Sequence, residues 1–139
     1  MDYYMIFLFA GVIVLGAVLL ALINWLRKGE KRLDADKYRA KWLNIEHKLK
    51  RENPDSYGIV ILNADKLVDH ALKEAGVKGN TMGERLKSSS SRFSDLNGLW
   101  TAHKVRNQIA HESDFSVSYD EARKSMNSFK QALKDLGAI

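Results

Sequence analysis

The sequence predicts an all-α protein, with a single N-terminal transmembrane helix followed by a bundle of four or five helices. Three observations support this fold class. A long uncharged apolar run lies near the N-terminus, between Met5 and Ile23. Beyond it, apolar residues recur at intervals of three and four, which is the period of an amphipathic helix. A single proline in 139 residues, together with many Leu, Ala, Lys and Glu residues, favours helices over strands.

Residues 1–26 are predicted to form a membrane anchor that contacts the lipid bilayer through residues 3–26. The apolar run is long enough for the hydrocarbon core, which needs about 20 residues. Aromatic residues flank it, as in an interfacial belt: Tyr3, Tyr4 and Trp25. A cleaved signal peptide is the alternative, but it requires positive charge before the apolar run and small residues after it. This chain has its basic residues on the other side.

A basic juxtamembrane linker is predicted at residues 27–33. The surplus of positive charge is local, because residues 27–51 hold ten Lys or Arg against four Asp or Glu, whereas residues 52–139 hold twelve of each. The positive-inside rule then predicts a single-pass protein with its N-terminus outside and its C-terminal domain in the cytoplasm. Four residues of the cluster can attract anionic headgroups, each by about 1 kcal/mol: Arg27, Lys28, Lys31 and Arg32. An RNA-gripping surface on the first cytoplasmic helix is the other interpretation.

The helical domain is predicted to cover residues 34–139. Its first helix runs from Asp34 to Glu52, and the break Asn53-Pro54-Asp55 precedes a second helix from Ser56 to Ala75, which Gly76 ends. The inward face of the first helix carries Tyr38, Trp42, Ile45 and Leu49. The buried stripe of the second carries Val60, Ala64, Leu67, Val68, Ala71 and Leu72.

Three further helices are predicted. Thr81-Met82-Gly83-Glu84 has the pattern of a capping box and begins a short helix that ends near Lys87. Ser88 to Ser91 predict a flexible connector, with a phosphate-contacting loop as the alternative. A helix from Ser94 to His111 follows, in which Gly98 indicates close packing. The last helix runs from Tyr119, behind a Ser118 cap, to Leu136, before Gly137. Its inner face carries Ala122, Met126, Phe129, Ala132, Leu133 and Leu136.

The helix from Ser94 to His111 carries the most informative residues. On a helical wheel with Leu99 at 0° and 100° per residue, the apolar residues of this helix fill an arc that runs from roughly 240° through 0° to roughly 60°. Arg106 falls at roughly 340°, inside that arc. An arginine there requires a partner or a cleft. His103, Asn107 and His111 follow one another at intervals of four, so they form a polar ridge along the edge of the arc.

The segment from Arg106 to His111 resembles the Arg-x(4–6)-His motif of HEPN domains, which are small helical bundles found in many prokaryotic toxins and RNA-processing proteins. Asn107 matches that family's polar residue directly after the arginine. The resemblance covers about Asp34 to Leu136. It implies a HEPN-like bundle that forms a homodimer, with the two motif helices facing each other across a composite cleft.

The resemblance also implies a metal-independent endoribonuclease that acts in RNA turnover, stress or defence and needs no cofactor. A histidine can serve as base or acid near neutral pH, and an arginine matches phosphate oxygens with two N–H groups. The catalytic candidates are Arg106, Asn107 and His111, with His103 and Glu112 as auxiliary candidates. Some family members carry a tyrosine two residues after the histidine, where a partner enzyme modifies them. Ser113 stands at that position here, so control by that route is not expected.

A structural role for the same residues is the alternative. Arg106 can pair with an acidic residue such as Asp65, Asp69 or Glu112, and His111 can cap the end of its helix. The domain would then be a non-catalytic, membrane-tethered module for dimerisation or protein interaction.

The sequence lacks the motifs of several other enzyme classes. The phosphate-binding loop GxxxxGK[ST], the zinc-protease motif HExxH and the serine-hydrolase motif GxSxG are all missing, and no metal site is predicted. His70 beside Asp69 is a weaker catalytic candidate, with a solvated pair as its simpler interpretation.

Overall fold

The computed structural model describes residues 3–27 and 31–139, and it divides the chain into two compact units, Met1–Lys31 and Arg32–Ile139. The division falls inside the predicted linker at 27–33. The described residues contain six α-helices, a short 3₁₀ turn and no strand. The all-α fold class is therefore confirmed. The linker residue Lys28 lies outside the described residues, whereas Lys31 and Arg32 are exposed.

The first unit is one helix, α1, which spans Tyr3–Arg27. Within it, the 23 residues Tyr3–Trp25 are long and apolar enough to cross a membrane. At 1.5 Å per residue they extend about 35 Å, somewhat more than a hydrocarbon core of about 30 Å. Nearly every side chain of this stretch is exposed. This arrangement suits a lipid environment, because large apolar side chains in water are costly.

The second unit begins with α2 (Ala35–Glu46), which is capped by the Asp34 carboxylate. Tyr38 and Trp42 are buried as predicted, and each is 1% exposed. The helix ends six residues before the predicted Glu52, because turns replace it at 47–48 and 51–52. Most side chains of residues 47–52 are charged, so another helical turn would bury little apolar surface and gain little stability. The Tyr57 hydroxyl donates to the Arg51 carbonyl at 2.6 Å and fixes the reversal.

Helix α3 (Asp55–Glu74) is the centre of the unit, because it contacts every other helix of the unit. All six residues of its predicted stripe are buried, together with Ile61. Pro54 occupies the N-cap position, and no side chain caps the start of this helix. Gly76 stops the helix with φ +79°, a conformation that glycine adopts without strain.

Helix α4 (Met82–Ser88) begins at the Thr81 cap, as predicted. The capping box is incomplete, because the Glu84 carboxylate accepts from the Asn80 N–H instead of the Thr81 N–H. The serine run belongs to regular structure and is no loose connector. Ser88 closes α4, Ser90–Arg92 form the 3₁₀ turn, and Ser89 is 3% exposed, with its hydroxyl on the Arg85 carbonyl.

The last two helices, α5 (Leu96–His111) and α6 (Tyr119–Asp135), pack against α3 and each other. Asp95 caps α5, and Ser118 with Glu121 forms a complete capping box at α6. The inner face of α6 is buried as predicted, apart from Leu136, which is only partly buried and lies just after the helix. Helices α3 and α5 together position three of the predicted site residues at one cleft: His103, Arg106 and Asn107.

The close packing expected at Gly98 is present, and it predicts an unusual substitution effect. A Cβ at Gly98 would lie 2.1 Å from the Asp95 carboxylate and 2.8 Å from the Ser128 hydroxyl. Gly98→Ala should therefore disturb the Asp95 cap, which is worth about 1 kcal/mol, and lower the free energy of unfolding despite the better helix propensity of alanine. Urea denaturation of residues 33–139, followed by circular dichroism, would measure the change.

Gly83→Ala is the matched control for this prediction. A Cβ at Gly83 would meet Trp100 at an ordinary 3.7 Å, so the variant should be neutral or more stable by up to about 1 kcal/mol. Equal stabilisation by both alanines would show that the space around Gly98 is not tight.

Candidate functional site

Helix α5 presents Arg106 as the sequence predicts, on the side that faces α3. Leu99 and Ala102, on the same arc, are 0% and 1% exposed. The arc is less covered toward the end of the helix, since Val105 and Ile109 are partly buried and Ala110 is exposed. The Arg106 side chain keeps 35% of its surface accessible. It therefore reaches both protein and solvent.

Asp65 of α3 is the partner of Arg106. The Nε atom of Arg106 lies 3.2 Å from Asp65 Oδ2, as a close ion pair without hydrogen-bond geometry. One Nη atom of Arg106 donates to the Asn107 side-chain oxygen at 2.9 Å. Among the three acidic partners considered from the sequence, the structure selects Asp65, whose side chain is only 4% exposed. Asn107 thus orients the guanidinium from within the motif itself.

The same carboxylate holds His103. The Nδ1 atom of His103 lies 2.7 Å from Asp65 Oδ1, and the two side chains are 11% and 4% exposed. An ionised carboxylate only accepts hydrogen bonds, so Nδ1 is the donor. Asp65 therefore joins His103 and Arg106, one on each carboxylate oxygen. His103 is the auxiliary candidate that the structure brings into the site.

The other predicted residues lie at the end of α5. His111 is exposed in the last helical turn, and Glu112 is the exposed C-cap residue. Within residues 3–27 and 31–139, the side chains of both are free of hydrogen bonds and ion pairs. His111 therefore does not cap its helix through its side chain. The structure does not bring Glu112 to Arg106.

An open cleft of about 950 Å³ lies between α3, α5 and the start of α4. We call it the α3–α5 cleft. His103, Arg106 and Asn107 line it, beside the partly buried ring of Trp100, whereas His111 lies outside. Its acidic lining residues are three: Asp65, Asp69 and Glu84. Its basic lining residues are five: Lys66, Lys73, Lys87, Lys104 and Arg106. The lining is therefore net positive, although residues 52–139 as a whole are neutral.

Asp69, at the same cleft, has a structural role. Its carboxylate lies 2.7 Å from the guanidinium of Arg85, which is 5% exposed, and 2.7 Å from Lys73 Nζ. Burial alone would raise the pKa of Asp69, but the hydrogen bonds from Lys73 and Arg85 hold that pKa below its usual value. The charge of Asp69 is thus used to attach α4 to α3. His70 beside it is exposed at the cleft and is not paired with Asp69.

Over the part of the chain that the structure describes, no three His, Cys, Asp or Glu side chains cluster as metal ligands. A scan of protein-family models and searches of curated proteins and of solved structures gave no match to this chain. The case for function therefore depends on the residues of the α3–α5 cleft and of the motif.

The Asp69–Arg85 pair predicts a pH-dependent loss of stability. Asp69→Asn leaves the buried Arg85 cation without its counter-charge, which should lower the free energy of unfolding by about 3 kcal/mol. Because the folded-state pKa of Asp69 is lowered, the stabilisation is complete above the ordinary carboxyl pKa of 3.8. It is lost as pH falls through the folded-state pKa. Urea denaturation of residues 33–139 between pH 7 and pH 3 would measure it.

Asp114→Asn is the control, because Asp114 lies in the exposed loop after α5. It should leave the denaturation midpoint unchanged. A deficit of Asp69→Asn that persists undiminished at pH 3 would contradict the electrostatic explanation.

Proposed function

We propose that this chain is a membrane-tethered, HEPN-like, metal-independent endoribonuclease that works as a homodimer. The observation that carries the proposal is the state of Arg106. Its guanidinium is held by Asp65 and Asn107, yet a third of the side chain stays accessible beside a net positive cleft. The exposed His111 lies five residues further along the same helix.

Arg106 has N–H groups available to bind a phosphodiester. A guanidinium carries five N–H groups. Here, Nε faces Asp65, and one Nη hydrogen bond goes to Asn107. Three N–H groups on the two Nη atoms remain for the two parallel hydrogen bonds that a phosphate accepts. They would stabilise the negative charge that develops on the phosphorus oxygens during cleavage.

RNA cleavage without a metal needs a base and an acid as well as this cation. The base removes the proton of the ribose 2′-hydroxyl, the 2′-oxygen bonds to phosphorus, and the acid protonates the departing 5′-oxygen. A 2′,3′-cyclic phosphate and a 5′-hydroxyl result, and no water is consumed. His111 suits one of these roles, because it is exposed and histidine titrates near neutral pH.

A dimer would complete the site. Ala110 is exposed on the last turns of α5, beside Arg106 and the ridge of His103, Asn107 and His111. A second copy packed there would cover Ala110 and bring the Arg106 and His111 side chains of the two copies close to each other. The net positive lining of the α3–α5 cleft suits the phosphate backbone of RNA. The neutral balance of residues 52–139 favours a specific substrate over general RNA binding.

Helix α1 supplies the tether in this proposal. Its apolar length and the basic residues after it favour a topology with the N-terminus outside and the domain in the cytoplasm, where RNA is found. Lys31 and Arg32 are exposed, which leaves them free to contact anionic headgroups as part of the linker 27–33.

A non-catalytic interaction module is the second candidate. One observation favours it, because the Asp65–Arg106 ion pair is the contact expected of an arginine with a purely structural role. The carboxylate of Asp65 is buried, so the pair would hold α5 to α3 whether or not RNA is bound. The following experiment separates the two candidates.

Cleavage of RNA is the direct test. The full-length chain in detergent micelles should cut a mixed cellular RNA pool in the presence of EDTA and leave 2′,3′-cyclic phosphate ends. Removal of either the phosphate-binding guanidinium of Arg106 or the proton-transfer imidazole of His111 should lower the cleavage rate at least 100-fold. We therefore expect His111→Ala and Arg106→Ala to be inactive, as measured by gel analysis of end-labelled RNA.

His47→Ala is the matched control for this test, because His47 is an exposed histidine at the end of α2 and lies outside the α3–α5 cleft. It should cleave like the parent. Folded, dimeric parent protein that leaves RNA intact would reject the nuclease and favour the interaction module.

The proposed topology has its own test. The chain has no cysteine, so a single introduced cysteine reports its own location. In intact cells, Asp2→Cys should react with a membrane-impermeant maleimide, because the proposed topology has the N-terminus outside. Ser113→Cys should react only after the cells are opened. The reverse pattern would reject the positive-inside assignment.

A further inference from the structure

His103 is the one histidine of the described residues that an acidic side chain holds in place. Asp65 binds its Nδ1 atom, and the ring is buried apart from the part that faces the α3–α5 cleft. The role inferred for His103 rests on the proposed ribonuclease function and supplies its second proton-transfer group.

The Asp65 contact fixes the chemistry of the other ring nitrogen. When Nδ1 donates to the carboxylate, Nε2 of the neutral ring carries a lone pair and can accept a proton. Nε2 has no hydrogen-bond partner among the residues that the structure describes. Nε2 is not one of the fully buried atoms without a partner, so it is accessible from the cleft. Here one nitrogen is anchored and the other is left for a molecule in the cleft.

His103 also lies near Arg106, the proposed phosphate-binding residue. It lies one helical turn before Arg106 and Asn107, and His103 and Arg106 contact the two oxygens of a single Asp65 carboxylate. A phosphate bound by Arg106 would therefore lie within the same part of the cleft as His103. The carboxylate would stabilise the imidazolium that forms when His103 takes up a proton, as the acidic residue of a catalytic triad does.

His111 of the same chain lies too far from His103 to act on the same bond. The two residues are eight apart on α5, which separates them by about 12 Å along the helix axis. Both proton transfers take place on oxygens attached to one phosphorus, so the base and the acid must lie on either side of a single phosphate. One copy of α5 cannot meet that requirement with these two histidines.

Two copies can meet it. Asn107 is the midpoint between His103 and His111. When two α5 helices pack antiparallel and cross at Asn107, His103 of each copy lies opposite His111 of the other, with Arg106 between them. We propose that His103, positioned by Asp65, is the second proton-transfer residue of the ribonuclease, and that it acts with His111 of the facing copy. Each dimer then holds two equivalent sites.

Mixed dimers of the full-length chain in nanodiscs test this arrangement. Two differently tagged chains, His103→Gln and His111→Gln, are co-expressed, and heterodimers are isolated through both tags. Each homodimer should be inactive. The heterodimer keeps one site with both histidines, so it should cleave RNA at about half the parent rate, as two-fold symmetry requires. Recovered activity also proves that the His103→Gln chain is folded.

The matched control pairs a chain carrying both substitutions with an unmodified chain. Both of its sites lack one histidine, so it should be inactive. If the histidines act within one copy, the two results are exchanged, and that outcome overturns the proposal. Parent-like cleavage by the His103→Gln homodimer overturns it as well. The parent protein is assayed before any variant. If the parent does not cleave RNA, both the ribonuclease function and the role of His103 are rejected.

A second variant separates a proton-transfer role of His103 from a purely structural one. Asp65→Asn retains a hydrogen-bond acceptor for His103 and removes the negative charge that stabilises its protonated form. The limb of the pH–rate profile that reports His103 should move to lower pH, whereas a structural role would leave the profile in place. The other charged and titratable groups that line the cleft are identical in both proteins: Lys66, Asp69, His70 and Lys73 from α3, Glu84 and Lys87 from α4, and Lys104 and Arg106 from α5. His47→Gln should match the parent throughout.

Discussion

The buried carboxylate of Asp65 positions the central residues of the candidate site, His103 and Arg106. An isolated charge inside a helical bundle is strongly unfavourable, and Asp65 is 3% exposed. It is tolerated because His103 and Arg106 approach its two oxygens from α5. The same contacts fix both side chains at the α3–α5 cleft. Asp65 therefore links the packing of α3 against α5 to the arrangement of the candidate site.

Much of the fold is predictable from the sequence, because its helices are amphipathic and their ends are marked by caps. Gly76, Thr81, Ser118 and Gly137 begin or end helices where expected. The end of α2 is the main error. The periodicity through Leu49 continues beyond Glu46, but periodicity does not reveal where a charged chain reverses. The Tyr57–Arg51 hydrogen bond that fixes this reversal joins residues from two different elements.

The site is predictable only along one helix. The wheel of α5 places Arg106 on the inward face, but it cannot decide among acidic partners on other helices. Asp65 and Asp69 are four residues apart on α3, and the structure gives them different roles. One faces the motif, and the other holds Arg85 of α4. The cleft is likewise invisible in the sequence, because its walls come from three helices. The HEPN resemblance remains a prediction beside this geometry.

In the proposed membrane-tethered form, helix α1 has a consequence for how copies of this chain meet. Molecules held in a bilayer by a single apolar helix move in a thin layer, so their local concentration far exceeds the value averaged over a cell. The proposed contact through the last turns of α5 would then be populated at a lower affinity than freely diffusing domains require. The density of chains in the membrane, and not the affinity of the contact alone, would set how many are paired. Crowding or dilution within the bilayer would thereby adjust the number of complete sites.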